Sequence, residues 1–165
     1  MPSPEQIQNL IAACTAAVAS EKSTGCPAEL TVPQWVVESR WGLNMPAGSN
    51  NPFGIKARPG DPFVAAMTTE FYHGTATQVS QNFHKYDSLA DAFNAHGLLI
   101  ATGRPYQEAF AAYETDHDPI KLIAGIAPHY ATSPVYTSTL LQILAEPIVK
   151  QEIAVARVGV PVGTE

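Results

Sequence analysis

The fold is decided by one stretch of the chain, Trp35-Val-Val-Glu-Ser-Arg-Trp-Gly-Leu-Asn-Met-Pro-Ala-Gly-Ser-Asn-Asn-Pro-Phe-Gly-Ile-Lys56. Its single carboxylate, Glu38, lies three residues after Trp35 and three before Trp41. Residues three apart share one face of a helix, so a helix here would place both indoles beside the carboxylate. Apolar surroundings raise the pKa of a carboxyl group, and a carboxylic acid that keeps its proton near neutral pH can act as a general acid. The alternative is an ordinary surface glutamate on an amphipathic helix.

Helical patterns lie on both sides of Glu38. Residues 4–22 carry apolar side chains at helical spacing, and Ser3 is a suitable cap for that helix. Thr31 then predicts the start of a second helix that ends near Trp41, because Gly42 follows where a helix C-terminus is expected. Glu38 is therefore expected in the last turn, where the chain changes direction and a cleft can open.

The middle of the chain has the sequence pattern of a small β-sheet. Between residues 44 and 86, Gly, Pro and Asn interrupt the helical pattern. The β-type runs are Phe53–Lys56, Val64–Tyr72 and Gln78–Tyr86. His73-Gly74 separates the last two runs and predicts a hairpin turn. We therefore predict a small antiparallel β-lobe, about residues 50–86, inserted between helices.

Helical patterns resume after residue 86. Ser88 and Gly103 bound an apolar stripe on which His96 is interpreted as a core histidine. Three further helices are predicted at Pro105–Glu114, Asp118–Ile126 and Ser133–Ala145, and the chain from Ala154 is expected to be extended. The fold class is thus α+β and mostly helical, with a single domain at 1–150 and a C-terminal tail at 151–165. A groove is expected where the helical and β parts meet.

Composition excludes several classes of function. The chain has 165 residues, of which 45% are hydrophobic and 15% are charged, which is typical of a folded domain. Its net charge of −6 argues against a nucleic-acid partner, which requires a basic face. No apolar run approaches the ~20 residues of a membrane span. The first residues lack a cationic region followed by an apolar run, so no signal peptide is expected and the export route is unknown.

Neither a metal nor a cofactor is expected. The five histidines are scattered, and the two cysteines, Cys14 and Cys26, form no metal-binding motif. We favour two buried free thiols, with a disulfide between them as the alternative.

Other side chains extend the candidate site. Glu70 lies in the middle of a predicted strand and offers the second carboxylate that hydrolysis of a sugar acetal uses, although a solvent-facing strand position is the alternative. Tyr130 and Tyr136 flank a turn and could stack on a sugar or orient water, or merely pack a helix end. The amide of Asn51 could bind hydroxyl or acetamido groups, or serve only the turn around it.

These fragments together resemble the bacterial endo-β-N-acetylglucosaminidase family of peptidoglycan hydrolases, glycoside hydrolase family 73, which includes autolysins, flagellar-rod proteins and phage lysins. The matching fragments, in the order of the family, are Glu38-Ser-Arg-Trp-Gly42, Asn51-Pro-Phe-Gly-Ile-Lys56, Thr69-Glu-Phe-Tyr-His-Gly74, Phe83-His-Lys-Tyr-Asp-Ser88 with Ala92-Phe93, and Tyr130-Ala-Thr-Ser-Pro-Val-Tyr136. The resemblance covers roughly residues 5 to 146. Arg40 departs from the small residue that is usual at its position, and Pro52 stands where Leu is common.

The resemblance implies a lysozyme-like helical lobe with a small antiparallel β-lobe beside the active-site cleft. By position, Glu38 matches the general acid of the family, Glu70 its second acidic residue, and Tyr130 an aromatic residue of the catalytic cleft. Side chains expected to contact substrate are Trp41, Asn51, Phe53, Tyr106 and Tyr136.

The expected activity is hydrolysis of the β-1,4 bond between N-acetylglucosamine and N-acetylmuramic acid in peptidoglycan glycan strands, which places its site of action at the cell wall. Water activated by Glu70 and attack by the substrate's own acetamido group remain alternative mechanisms. A lysozyme-like muramidase, a lytic transglycosylase and a non-catalytic wall-binding module are the alternative functions. A larger secretion, flagellar or phage assembly is a candidate partner.

Overall fold

The structure, a computed structural model, describes residues 1–159. These residues form seven α-helices, one short 3-10 helix (Arg104–Tyr106) and one antiparallel hairpin. The helices are α1 (Pro4–Thr24), α2 (Ala28–Ser39), α3 (Leu89–Thr102), α4 (Gln107–Asp116), α5 (Pro119–Tyr130), α6 (Tyr136–Ala145) and α7 (Pro147–Val158). The strands are β1 (Phe63–Tyr72) and β2 (Thr75–His84), inserted between α2 and α3. The predicted fold class, α+β and mostly helical, is confirmed.

Helix α1 begins where the sequence predicts. The Ser3 hydroxyl accepts a hydrogen bond from the Gln6 backbone N–H, and the Gln6 side chain accepts one from the Ser3 backbone N–H. This reciprocal pair is a capping box, which satisfies two N–H groups that a helix start leaves unpaired. Gly25 ends the helix in the left-handed conformation. The apolar face of α1 packs against α3 and α7.

Helix α2, which carries Glu38, begins one turn earlier than predicted. Its N-cap position is Pro27, and the backbone N–H of Ala28 donates to the Glu21 carboxylate of α1 at 3.1 Å. The cap therefore comes from another helix, and Thr31 is a fully buried interior residue. Helix α2 is buried on nearly all sides, as expected for a helix at the centre of a domain.

The end of α2 sets the position of Glu38. The helix ends at Ser39, and Arg40, Trp41 and Gly42 all adopt positive φ angles of 49°, 62° and 79°. The Ser39 hydroxyl donates to the Trp35 carbonyl and accepts from the Gly42 N–H, which stabilises this reversal. Glu38 is thus the penultimate helical residue, at the point where the chain leaves the helical lobe.

The hairpin has the predicted turn and an unbroken register. Phe63 pairs with His84 and Tyr72 with Thr75, so two residues, His73 and Gly74, form the turn. Both have positive φ angles, the geometry that matches the twist of a two-residue hairpin. The predicted first β run contributes only one bridge, between Lys56 and Phe83.

Two predictions for the C-terminal part are wrong. Ser133-Pro134 forms a turn, and α6 begins at Tyr136 instead. Helix α7 runs to Val158, whereas an extended tail was predicted from Ala154; residues 160–165 of that tail lie outside the described residues. Val149 and Ile153 of α7 are buried in the core, which explains why this segment is helical.

The described residues also settle the state of the cysteines. Cys14 and Cys26 are buried free thiols, as predicted. Burial raises the pKa of each thiol to about 12, so both remain protonated and unreactive at neutral pH. Among residues 1–159, none of the helices combines the length and hydropathy that a membrane span requires.

Candidate active site

A cleft of about 450 Å³ lies between the end of α2 and the hairpin. Glu38 lines it from the helical lobe, and Ala66, Met67 and Thr68 line it from β1. The rest of the wall comes from the connecting loops and β2, namely Asn44, Met45, Pro46, Ala47, Asn51, Pro52, Gly54 and Phe83. The predicted groove between the helical and β parts therefore exists, and among residues 1–159 Glu38 is the only ionisable side chain in its lining.

Glu38 has the electrostatic environment of a proton donor. Burial of the side chain raises the pKa of its carboxyl group above the ordinary value of 4.5, because the charged form loses hydration. The Tyr136 hydroxyl, which donates to Oε1 of Glu38 at 3.3 Å, lowers the same pKa by a smaller amount. The predicted direction of the shift is confirmed, and the protonated acid persists to higher pH than in an exposed glutamate.

The aromatic neighbours of Glu38 are tyrosines. The rings of Tyr130 and Tyr136 stack at a centroid distance of 5.8 Å and an interplanar angle of 11°. Burial is the main cause that raises the pKa of both phenols, and the negative charge of Glu38 adds to it. Two neutral phenols therefore border the acid, and one of them contacts it directly.

A second layer of side chains holds the tyrosines. His96 is fully buried, and its ring lies edge-on to Tyr130 at 5.6 Å. Burial lowers the pKa of His96 to about 3, so its ring is neutral. Its Nε2 lies 2.8 Å from Oε1 of Gln34, an acceptor, and therefore carries the ring proton. His96 is a core residue, as predicted, but it packs directly behind the site.

Glu70 lies beside the cleft without lining it. Side chains of β1 alternate between an exposed and a half-buried face, and Glu70 shares the half-buried face with Ala66 and Thr68. Its Oε1 lies 3.1 Å from Nζ of Lys56, and both side chains are substantially exposed. An ion pair of this kind contributes about 0–1 kcal/mol, so it holds Glu70 only weakly.

Two residues predicted to bind substrate belong instead to the protein interior. The buried Asn51 amide donates to the carbonyls of Ile55 and His84 and accepts from the Ile55 N–H, which fixes the loop to the hairpin. Phe53 is buried, with its ring stacked on His96 at 3.9 Å and edge-on to Phe93 at 5.0 Å. Asn51 therefore lies in the wall of the cleft with its amide already hydrogen-bonded within the fold, whereas Phe53 belongs to the core and not to the cleft lining.

Trp41 and Tyr106 are also placed differently from the expectation. Because Trp41 follows the end of α2 in a left-handed conformation, it does not share the helical face of Glu38. Its side chain lines a separate depression with Met1, Pro2, Gln6 and Glu146. Tyr106 is largely buried in the 3-10 helix and belongs to the core. Of the predicted set, the structure brings Glu38, Tyr130 and Tyr136 together.

Sequence reasoning missed Gln34 and the backbone of β1. Gln34 lies four residues before Glu38 in α2, so helical spacing alone could have placed it on the same side. A polar side chain between the apolar pairs Val32-Pro33 and Trp35-Val36 is the signal that would have identified it.

Solved peptidoglycan hydrolases share this fold. The catalytic domain of the autolysin Auto from Listeria monocytogenes superposes with a TM-score of 0.79, covering 92% of this chain and 89% of that chain at 22% identity. A mutant peptidoglycan hydrolase from Sphingomonas sp. A1 superposes with a TM-score of 0.71, covering 90% of this chain and 98% of that chain at 25% identity. A mostly helical body with a hairpin beside a cleft and a half-buried glutamate in it defines the class of lysozyme-like glycosidase folds.

The family follows from the sequence comparison. The model of the glucosaminidase family, described as mannosyl-glycoprotein endo-beta-N-acetylglucosaminidase, matches residues 14–147. The chain therefore belongs to the glucosaminidase family, which confirms the resemblance seen in its motifs.

Two named relatives are longer than this chain. Peptidoglycan hydrolase FlgJ of Pseudomonas aeruginosa is 28% identical over 140 residues, which are 80% of this chain and 34% of that protein. Exo-glucosaminidase LytG of Bacillus subtilis is 28% identical over 121 residues, which are 61% of this chain and 43% of that protein. The chain thus spans less than half the length of these relatives.

Proposed function

We propose that this protein is a peptidoglycan hydrolase that cleaves the β-1,4 bond between N-acetylglucosamine and N-acetylmuramic acid, on the reducing side of N-acetylglucosamine. One observation carries the proposal: a single glutamate with a raised pKa lines the cleft of a glucosaminidase-family fold. Such a group is suited to protonate the leaving oxygen of a glycosidic bond. The names of the relatives, a peptidoglycan hydrolase and an exo-glucosaminidase, support the same substrate.

Glu38 is the general acid of this proposal. The Tyr136 hydroxyl donates to Oε1 of Glu38, which leaves Oε2 as the oxygen that carries the acidic proton. Tyr130 stacks on Tyr136 and keeps that hydroxyl in position. The acid proton is therefore on the carboxyl oxygen that does not contact Tyr136, in a side chain that lines the cleft.

Glu70 is the second carboxylate of this proposal. It shares the half-buried face of β1 with two residues that line the cleft, and only an exposed ion pair with Lys56 holds it. Because that ion pair is weak, a bound glycan can draw Glu70 toward the sugar at little energetic cost. Glu70 would then activate water or stabilise the positive charge that develops on the sugar ring.

The anomeric form of the first product separates Glu70-activated water from attack by the acetamido group. Water activated by Glu70 inverts the configuration at the reacting carbon, whereas attack by the substrate's acetamido group retains it. NMR of the product within the first minutes of reaction, before mutarotation, distinguishes the two. Initial α-anomer supports Glu70 as the base, and initial β-anomer excludes direct attack by water that Glu70 activates.

The decisive experiment is mass analysis of the reducing ends of digested peptidoglycan. Reducing N-acetylglucosamine is the expected terminus. Reducing N-acetylmuramic acid would identify a muramidase, and an anhydro terminus would identify a lytic transglycosylase. Binding to sacculi without the release of any new end would identify a wall-binding module and refute the proposal.

The cell wall is the site of action in this proposal, and a larger secretion, flagellar or phage assembly is the setting that fits it. The support is the similarity to the peptidoglycan hydrolase FlgJ. Co-purification of the full-length protein with assembly components, compared with a Glu38→Gln form, tests that setting independently of activity.

A further inference from the structure

One edge of β1 carries backbone groups that pair with nothing in residues 1–159. The Lys85 N–H donates to the Pro62 carbonyl, and the register pairs Phe63 with His84. Hydrogen-bonded and non-hydrogen-bonded pairs alternate along an antiparallel ladder. Even-numbered residues of β1 therefore bond to β2, and the odd-numbered residues direct their N–H and C=O groups to the opposite edge. In the described part of the chain, no further strand pairs with that edge.

The free edge borders the cleft at Met67. Ala66 and Thr68 line the cleft from one face of β1, whereas the Met67 side chain belongs to the opposite, exposed face. The part of Met67 that lines the cleft is therefore its main chain, between Ala66 and Thr68. Its N–H and C=O are the pair that the ladder leaves free, and they point along the sheet, away from β2, beside the cleft wall that Met67 shares with Glu38.

The geometry of this pair selects its ligand. The N–H and C=O of one strand residue flank a single Cα and point the same way, and one residue of an extended peptide offers the complementary pair. The N–H and C=O of a sugar acetamido group belong to one trans amide and point in opposite directions, so that group can satisfy only one of the two. The site therefore fits an amino-acid residue better than a sugar substituent.

Peptidoglycan carries short peptides on its muramic acid residues, beside the bond that would be cleaved. We propose that the free edge of β1 binds the first residue of this stem peptide, through the backbone N–H and C=O of Met67, as an added strand. This inference rests on the proposed function, because it concerns how the same cleft recognises its polymer. The free edge then recognises the stem peptide. An unpaired strand edge without such a role favours aggregation.

Proline substitution tests the backbone donor directly. Met67→Pro removes the outward N–H without removing a bond to β2, since Met67 occupies a non-hydrogen-bonded position, and proline is tolerated on edge strands. Met67→Val keeps the N–H and changes only the exposed side chain. Ala65→Pro makes the same backbone change two residues away, at an edge position outside the cleft lining.

The substrates are stem-bearing glycan strands and strands from which an amidase has removed the peptides. The wild-type protein is expected to have a lower KM for stem-bearing strands. Met67→Pro is expected to raise that KM about three- to tenfold, the effect of one peptide hydrogen bond, and to leave the denuded strands unaffected. Met67→Val is expected to keep the preference for stem-bearing strands, because it keeps the N–H, and Ala65→Pro is expected to behave as wild type.

Other patterns overturn the inference. If Met67→Pro raises the KM equally for both substrates, the edge binds the sugar or the hairpin is distorted. If Ala65→Pro raises the KM as much as Met67→Pro does, the hairpin is distorted. An equal loss in Met67→Val would assign the effect to the side chain. If the wild-type protein cleaves both substrates alike, the stem peptide has no role in recognition, and the proposed function stands. A protein that cleaves neither substrate refutes the proposed function itself.

A second measurement avoids any change in the protein. N-Acetylmuramoyl dipeptide is expected to compete with stem-bearing strands for the wild-type protein, and its analogue with an N-methylated first residue is expected to compete at least threefold less well, because the methyl group removes the donor to the Met67 carbonyl. Equal competition by both compounds would contradict a backbone contact at this edge.

Discussion

The two lobes that enclose the cleft differ in how they hold their side chains. On the helical side, Glu38 projects from a helix whose neighbours Trp35 and Gln34 are buried completely or almost so. On the hairpin side, Met67 and Phe71 expose 64% and 72% of their surface. Burial on the first side controls a proton, and exposure on the second leaves backbone groups free for a ligand. The comparison suggests a division of labour, with chemistry on the helical lobe and recognition on the hairpin.

The largest expected effect concerns the acid itself. Glu38→Gln keeps the shape and hydrogen-bonding capacity of the side chain but removes its acidic proton. We expect the rate of peptidoglycan cleavage to fall by about 10²- to 10⁴-fold, the usual contribution of a general acid. Turbidity loss of purified cell walls measures the rate, and Glu114→Gln, the same change at an exposed position, is the matched control. A folded Glu38→Gln protein that clears walls at the wild-type rate refutes the assignment.

The next effect concerns stability and compares one phenylalanine from each lobe. Phe53→Ala removes a buried ring that contacts Phe93 and His96, and we expect it to lower the free energy of unfolding by about 3–5 kcal/mol. Phe71→Ala removes an exposed ring and should change it by less than about 0.5 kcal/mol. Urea denaturation followed by circular dichroism measures both. Equal losses would mean that the exposed face of the hairpin is covered in solution.

The smallest effect concerns the pH dependence of catalysis. The Tyr136 hydroxyl stabilises the charged form of Glu38 and so lowers its pKa. Tyr136→Phe removes that donor, and the pKa of Glu38 should therefore rise further. Because the active form of a general acid is protonated, the alkaline limb of the profile of kcat/KM against pH should move to higher pH. Movement to lower pH, or none, would show that Tyr136 does not control this proton; Tyr72→Phe, at the exposed end of the hairpin, serves as the control.

Local rules predicted much of the fold because the signals lie close together in the chain. Ser3 and Ser88 accept hydrogen bonds from the helices that follow them, and His73-Gly74 forms the turn between β1 and β2. The start of α2 was missed because its cap, Glu21, belongs to a different helix. A cap from a distant segment gives no signal in the local sequence at the start of the helix, and Thr31 was the best local candidate for the N-cap.

The candidate site was predicted less completely than the fold. Glu38 and the two tyrosines were identified from motifs, and they lie together. Trp41 was misplaced because the helix that would align it with Glu38 ends two residues earlier. Phe53 was misplaced because an aromatic residue in a turn is equally suited to a cleft or a core, and only the packing decides between them.

The link between Arg157 and the start of α2 has a practical consequence for dividing this protein into parts. Arg157 in α7 pairs with Glu21, the side chain that caps α2, and with Glu29 in the first turn of that helix. The family match ends at residue 147, one residue into α7. A fragment trimmed to the family boundary would therefore lose the ion pairs between Arg157 and the start of α2, so the smallest autonomous unit should extend through Val158.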